Sequence, residues 1–143
     1  MHFDLQRFVD AQTPLYEQVC AELHAGQKRS HWMWFVFPQL RALGRSTTAK
    51  HYGLASRAEA EAYLKHPILG ARLTECTRLV NSIAGRSVED IFGYPDHLKF
   101  HSSMTLFAQV NPAEPVFDCA LNKYFGGQPD SATLKLLRQG RSD

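Results

Sequence analysis

Helix start and stop signals recur along this chain at short intervals, and strand signals do not. Thr13-Pro14 reads as an N-cap and first helical position, Leu15, Tyr16, Val19, Cys20 and Leu23 follow at helical spacing, and Gly26 supplies a left-handed stop. Ser56-Arg57-Ala58-Glu59 has the capping-box pattern ahead of Ala60, Tyr63 and Leu64. Pro67 opens a longer amphipathic helix, with Ile68, Leu69, Leu73, Cys76, Leu79, Val80 and Ile83 on one side and Gly85 at its end. Ser87 to Gly93 reads as a short helix, and Pro95 starts the next. Pro115 begins one closed by Gly126-Gly127, and Asp130 caps the last, through Leu134 and Leu137. About seven short helices joined by loops of a few residues predict consecutive helices packed on their neighbours, an all-α fold.

The apolar run Trp32 to Phe37 suits a buried strand or a buried helical turn equally well. A lone strand has no partner here, so a helix ending at Pro38 is expected. No repeat and no linker divides the chain, and its 143 residues suit a single helical domain over 1–143, with 138–143 as a frayed tail.

Charge is distributed unevenly. The 36 residues from Leu23 to Ala58 hold no Asp or Glu, yet include Lys28, Arg29, Arg41, Arg45, Lys50, Arg57 and both Trp residues. The formal net charge of +2 therefore hides a polarised molecule that favours an anionic partner. So small a total argues against bulk nucleic-acid binding, and a small anion fits better. Met1 to Arg7 shows no basic start leading into an apolar stretch, and no run approaches the ~18 apolar residues of a membrane span, so a cytoplasmic protein away from membranes is expected. Cys20, Cys76 and Cys119 are odd in number and widely spaced, which predicts buried free thiols rather than a disulfide framework.

Three constellations carry chemistry. In the first, Asp96, Lys99 and Ser103 share an arc of the helix after Pro95, bordered by Phe107, Phe100 and Met104 on one side and Leu106, Ser102 and Leu98 on the other. An Asp96–Lys99 pair tying helices together is one reading; a pocket faced by Lys99 and Ser103, with Asp96 orienting the Lys, is the other. His97, His101 and Thr105 fall on the opposite arc and read as a solvated face, since no third ligand has a metal-site spacing. The second is Lys28 to Trp34 with Gln39: Trp rings offer a flat surface, Lys28 and Arg29 can meet phosphate, Ser30 and Gln39 can hydrogen-bond a ligand, and His31 titrates near neutral pH. Ordinary core packing competes for the aromatic residues. The third, Leu43-Gly44-Arg45-Ser46-Thr47-Thr48-Ala49-Lys50, joins hydroxyls and cations at a helix start, either to meet an anion or simply to cap. It lacks the second glycine and the Gly-Lys-Ser/Thr ending of a phosphate-binding P-loop.

Gly26 to Gln39, His66-Pro67-Ile68-Leu69-Gly70, Ile91-Phe92-Gly93 and Lys99 to Phe107 resemble the bacterial family catalogued as domain of unknown function 1810, over about residues 3 to 138. The strings Ser-His-Trp-Met-Trp-Phe and Ser-Ser-Met-Thr-Leu-Phe carry the likeness. The resemblance implies a compact right-handed helical superhelix, and no reaction, cofactor or catalytic residue. Some members bear a calpastatin label; calpastatin-type inhibitors are long, flexible, Pro- and charge-rich chains, the opposite of this sequence, and calpain inhibition is set aside.

The expectation is a pocket between the Lys28 to Gln39 segment and the Asp96 to Ser103 helix, taking a small anion with a flat group, such as a nucleotide or ADP-ribose derivative. Lys28 and Lys99 hold its charge, Trp32 stacks, Ser30, Gln39 and Ser103 hydrogen-bond, and His31 with Asp96 is the acid/base pair if a hydrolytic reaction occurs. No metal or cofactor is called for. The competing expectation is a protein-interaction module without catalysis.

Overall fold

The computed structural model describes residues 3–140, and the described residues contain helices and no strand. In chain order they are α1 (Gln6–Gln12), a 3₁₀ turn (Thr13–Leu15), α2 (Tyr16–His24), α3 (Met33–Val36), a second 3₁₀ turn (Arg41–Leu43), α4 (Thr47–His51), α5 (Arg57–Lys65), α6 (Leu69–Asn81), α7 (Val88–Phe92), α8 (Asp96–Val110), α9 (Pro115–Phe125) and α10 (Ser131–Gly140). The fold class is thus all-α, with more and shorter helical pieces than the start signals alone predict. Residues 138–140 of the expected frayed tail form the last turn of α10, and 141–143 lie outside the described residues.

Local chemistry explains most boundaries. Ser46, Ser56 and Ser87 accept the backbone N–H of Ala49, Glu59 and Asp90, and Pro115 occupies the first turn of α9. Gly26 (φ 80°) follows α2, and Gly126 (φ 61°) ends α9 in the left-handed region. Two boundaries differ from expectation. Thr13 donates its hydroxyl to Val9 O within a helical stretch already begun at Gln6, so it caps nothing. The complete capping box is Ser87–Asp90; the Glu59 carboxylate turns instead to Ala55 N and to Arg7.

α8 is the axis of the core. Phe100 and Ser102 through Ala108 are all buried, because α3, α5, α7, α9 and α10 pack around it. Phe37, on the run after α3, meets Phe92 and Phe100 edge-on with ring centroids 5.8 and 5.1 Å away, and Phe92 stacks on Phe100 at 4.7 Å. Burying each such ring is worth about 1.5–3 kcal/mol. The expected helix at Trp32 to Phe37 exists as the single turn α3, whose residues other than Trp34 are core.

The segment between α3 and α5 is held by a short backbone pairing, not by a helix. Leu54 N–H donates to Gln39 O (2.9 Å) and Arg41 N–H to Leu54 O (2.8 Å), which fixes the turn carrying Leu43 to Ser46. The approach is tight: a Cβ on Gly53 would lie 2.4 Å from Arg41 Cα, so only glycine fits there.

Candidate functional site

A cleft of about 620 Å³ opens where this turn faces the start of α8 and the start of α10. That volume lies within the roughly 300–1,000 Å³ of small-molecule sites. Its α8 wall is the stripe Pro95, Leu98, Lys99 and Ser102, spaced i, i+3, i+4, i+7 along one face. Trp34 and Gln39 come from the α3 segment, and Leu43, Gly44, Arg45, Ser46 and Ala49 from the turn into α4. Asp130 and Ala132 close the far side, and Tyr94 stands at the rim. Tyr94 and Leu98, 81% and 48% exposed, are two of the three large apolar side chains left in solvent among the described residues.

Two cations face this space with capacity to spare. Arg45 is exposed and makes no hydrogen bond or ion pair among the described residues. Lys99 Nζ reaches only Asp96 Oδ1, at 3.6 Å. The Gln39 side chain is likewise unpaired, its backbone carbonyl alone being engaged.

The Asp130 corner is built from residues whose sequence pattern suggests solvent. His101 Nε2 lies 2.7 Å from Gln128 O and its ring stacks on Phe125 at 4.0 Å. Thr105 is fully buried; its hydroxyl donates to His101 O (2.9 Å) and accepts the Asp130 N–H (2.8 Å). The expected solvated face is therefore corrected for His101 and Thr105, which pack against α9 and anchor the loop into α10, while His97 is partly buried beside Gly93 and Glu89. Asp130 then caps α10 through Oδ2, which accepts Thr133 N–H (3.2 Å), Thr133 Oγ1–H (2.6 Å) and Ser102 Oγ–H (3.0 Å). Among the described residues its Oδ1 accepts nothing, and no cation closes on it.

The polarity of Lys28 to Trp32 is spent differently. Glu22 is buried, and its Oε1 accepts Arg29 N–H (2.6 Å), Ser30 N–H (2.9 Å) and the Trp32 indole N–H (3.0 Å), while Oε2 accepts Ser30 Oγ–H (2.7 Å) and Gln18 Nε2–H (3.1 Å). Burial pushes its pKa up, but these donors outweigh it and hold the carboxyl at about 2. Lys28 Nζ, nearly buried, pairs with Asp96 Oδ2 at 2.8 Å and sits 5.3 Å from the Trp32 ring centre.

The expected site residues separate on this geometry. The two segments do meet: Lys28, Asp96 and Lys99 form one chain of charges, and Gln39 and Lys99 line the cleft. Trp32 does not offer a stacking face, since it is fully buried and bound to Glu22; Trp34, half-buried, lines the cleft instead. Ser30 is bound to Glu22, and Lys28 is committed to Asp96. Ser103 is fully buried, lines no part of the cleft and leaves its hydroxyl unpaired. The α8 face turned to the cleft lies roughly 80° round the helix from the Asp96–Lys99–Ser103 arc. His31 is exposed and makes no hydrogen bond to Asp96, so the acid/base pair is not formed. Tyr94, Ser102 and Asp130 line the cleft without having been expected there, whereas Arg45 belongs to the turn expected either to meet an anion or to cap. Arg45 had the signal of a free cation in a Gly-Ser-Thr turn, whereas Asp130 read only as a cap.

Other places offer less. A second concavity holds Arg41, Lys50 and His51, but its central Arg7 is already taken by Glu59 and by Gly53 and His51 carbonyls. The thiols are free, but only Cys76 is buried; Cys20 is half-buried and Cys119 exposed, which corrects the expectation for two of them. Burial raises Cys76 to about 12, so it is unreactive. Among the described residues no group of three His, Cys, Asp or Glu is placed to hold a metal, and no helix is long and apolar enough to cross a membrane.

The profile of the family described as protein of unknown function (DUF1810) matches residues 2–137. A crystal structure of the conserved hypothetical protein Rv1873 from Mycobacterium tuberculosis is similar at 59% identity and a TM-score of 0.94, over 95% of this chain and 97% of that one. Among curated proteins nothing matches.

Proposed function

The chain belongs to the DUF1810 family, a membership that brings no reaction with it, and we propose that its cleft binds a small anion carrying a flat group, of nucleotide or ADP-ribose type. The observation that carries this reading is the pairing of two underused cations, Arg45 and Lys99, with Trp34 and the exposed Tyr94 around one nucleotide-sized space. Arg offers a fork to phosphate oxygens, Lys99 adds a point charge, and the aromatic rings offer faces to a base. Gln39 supplies an amide for a base edge. The reading is binding, without turnover: the cleft holds no hydrogen-bonded acid/base pair, and His31 stands outside it. The exposed free thiol of Cys119 supports a reducing, cytoplasmic setting.

A second reading, a protein-docking surface without catalysis, rests on Tyr94 and Leu98 alone. Thermal-shift titration with AMP, ADP-ribose and inorganic phosphate decides between the two. A ligand at a hundred times its dissociation constant adds about 2.7 kcal/mol of stability. The expected result is stabilisation by AMP that Arg45→Ala and Lys99→Ala both lose. No stabilisation by any of the three overturns the anion reading and leaves the docking surface.

A further inference from the structure

We infer that Asp130 reads a sugar hydroxyl, so that the ligand of the cleft is a phosphorylated ribose or nucleotide and not a bare anion; this rests on the reading above and specifies its substrate class. A site for phosphate alone gains nothing from a carboxylate, which repels the ligand across the same small space. Yet Asp130 lines the same cleft as Arg45 and Lys99, and among the described residues neither cation closes on it.

The carboxylate is also held still. Oδ2 accepts three hydrogen bonds, from Thr133 N–H, Thr133 Oγ1–H and Ser102 Oγ–H, while the Asp130 N–H is fixed on Thr105 Oγ1. These contacts fix the plane of the group and leave Oδ1 as an acceptor without a donor. An oriented, charged acceptor with an empty valence calls for a neutral O–H or N–H donor. Paired hydroxyls on a ring that also bears phosphate satisfy it, while the phosphate meets the cations of the same cleft. Ser102, which reaches the ligand only through Asp130, is a positioning residue.

The test titrates AMP, 2′-deoxyAMP, 3′-deoxyAMP and inorganic phosphate into the native protein, Asp130→Asn and Arg45→Ala, by calorimetry. Asn is an equally good helix cap, so Asp130→Asn keeps the α10 start while replacing the unpaired acceptor with a donor; an unchanged melting temperature checks this. In the native protein AMP is expected to bind at least tenfold more tightly than one of its deoxy analogues. In Asp130→Asn the AMP and deoxyAMP affinities become equal, and phosphate binds as well as before or better. Equal binding of AMP and both deoxy analogues by the native protein, or discrimination that persists in Asp130→Asn, overturns the assignment of Asp130 and leaves the anion cleft standing. Absence of binding by phosphate and AMP alike, with Arg45→Ala no different from native, overturns the cleft reading and this inference together.

Discussion

Glu22 and Asp130 are both carboxylates at polar junctions of an apolar core, and they differ in how far the protein fills their lone pairs. Glu22 accepts five hydrogen-bond contacts spread over both oxygens. Asp130, which lines an open cleft, accepts three, all on one oxygen, and its other oxygen has no donor among the described residues. A saturated buried carboxylate is a structural device: it lets the chain leave α2, reverse through Arg29 and Ser30, and bury Trp32 without orphaning an N–H. A half-saturated one beside unpaired cations is poised for something the protein does not itself supply. The same contrast separates Lys28, committed to Asp96, from Arg45, committed to nothing.

The sharpest way to break the comparison is to empty the saturated side. Glu22→Ala leaves the Trp32 indole N–H and two backbone N–H groups without an acceptor, and a loss of about 3 kcal/mol is expected in chemical denaturation. The pH dependence has a definite sign. The folded-state pKa of Glu22, about 2, lies below its ordinary 4.5, so its contribution is fully present above pH 4.5 and is lost as pH falls toward 2. Glu22→Gln should show a flatter stability profile across that window; an unchanged profile would mean that the carboxylate is not held by these donors.

Next in size is the Lys pair. Lys28→Met removes the partner of Asp96 from a nearly buried position and should cost about 2 kcal/mol, with phosphate binding retained. Lys99→Ala should do the reverse: its longer 3.6 Å contact to Asp96 predicts a stability loss of about 0.5 kcal/mol or less and a clear fall in phosphate affinity. If Lys28→Met abolished binding while Lys99→Ala spared it, the division between structural and available charge would be reversed.

The capping role of Asp130 is smaller again. Asp130→Ala removes the acceptor of Thr133 N–H and should cost about 1 kcal/mol, read as a lower melting temperature. Asp130→Asn should cost a few tenths at most, which separates the cap from the chemistry assigned to the other oxygen.

Much of this organisation was legible residue by residue. Ser46, Ser87, Pro115, Gly126 and Asp130 act locally, so their positions can be read from neighbours in sequence. What escaped were assignments set by tertiary packing. A helical wheel shows which residues share a face of α8 but not which face another helix covers; Thr105 and His101 look solvent-bound until α9 and the loop into α10 are laid over them. In the same way Trp32 and Trp34 are indistinguishable by composition, and it is Glu22, ten residues before Trp32, that draws one indole inward and leaves the other at the cleft. α1 was missed although Phe8 and Gln12 recur at helical spacing, because the stronger Thr13-Pro14 signal masked it.

Ser103 is the residue on which sequence pattern and packing disagree most, and its expected effect is opposite in sign to the others. Its hydroxyl is fully buried in α8 and meets no partner among the described residues, unlike that of Ser102 one position earlier, which reaches Asp130. An unpaired buried hydroxyl costs stability, and alanine is the better helix former, so Ser103→Ala should stabilise the fold by about 1 kcal/mol. Ligand binding should be unchanged, because the hydroxyl lines no part of the cleft. A Ser103→Ala protein that is less stable than native would place an unseen partner, such as an ordered water, on the hydroxyl. One that is equally stable but no longer binds phosphate or AMP would show that the ligand reaches deeper than Lys99, and would return Ser103 to the site from which the α8 geometry removes it.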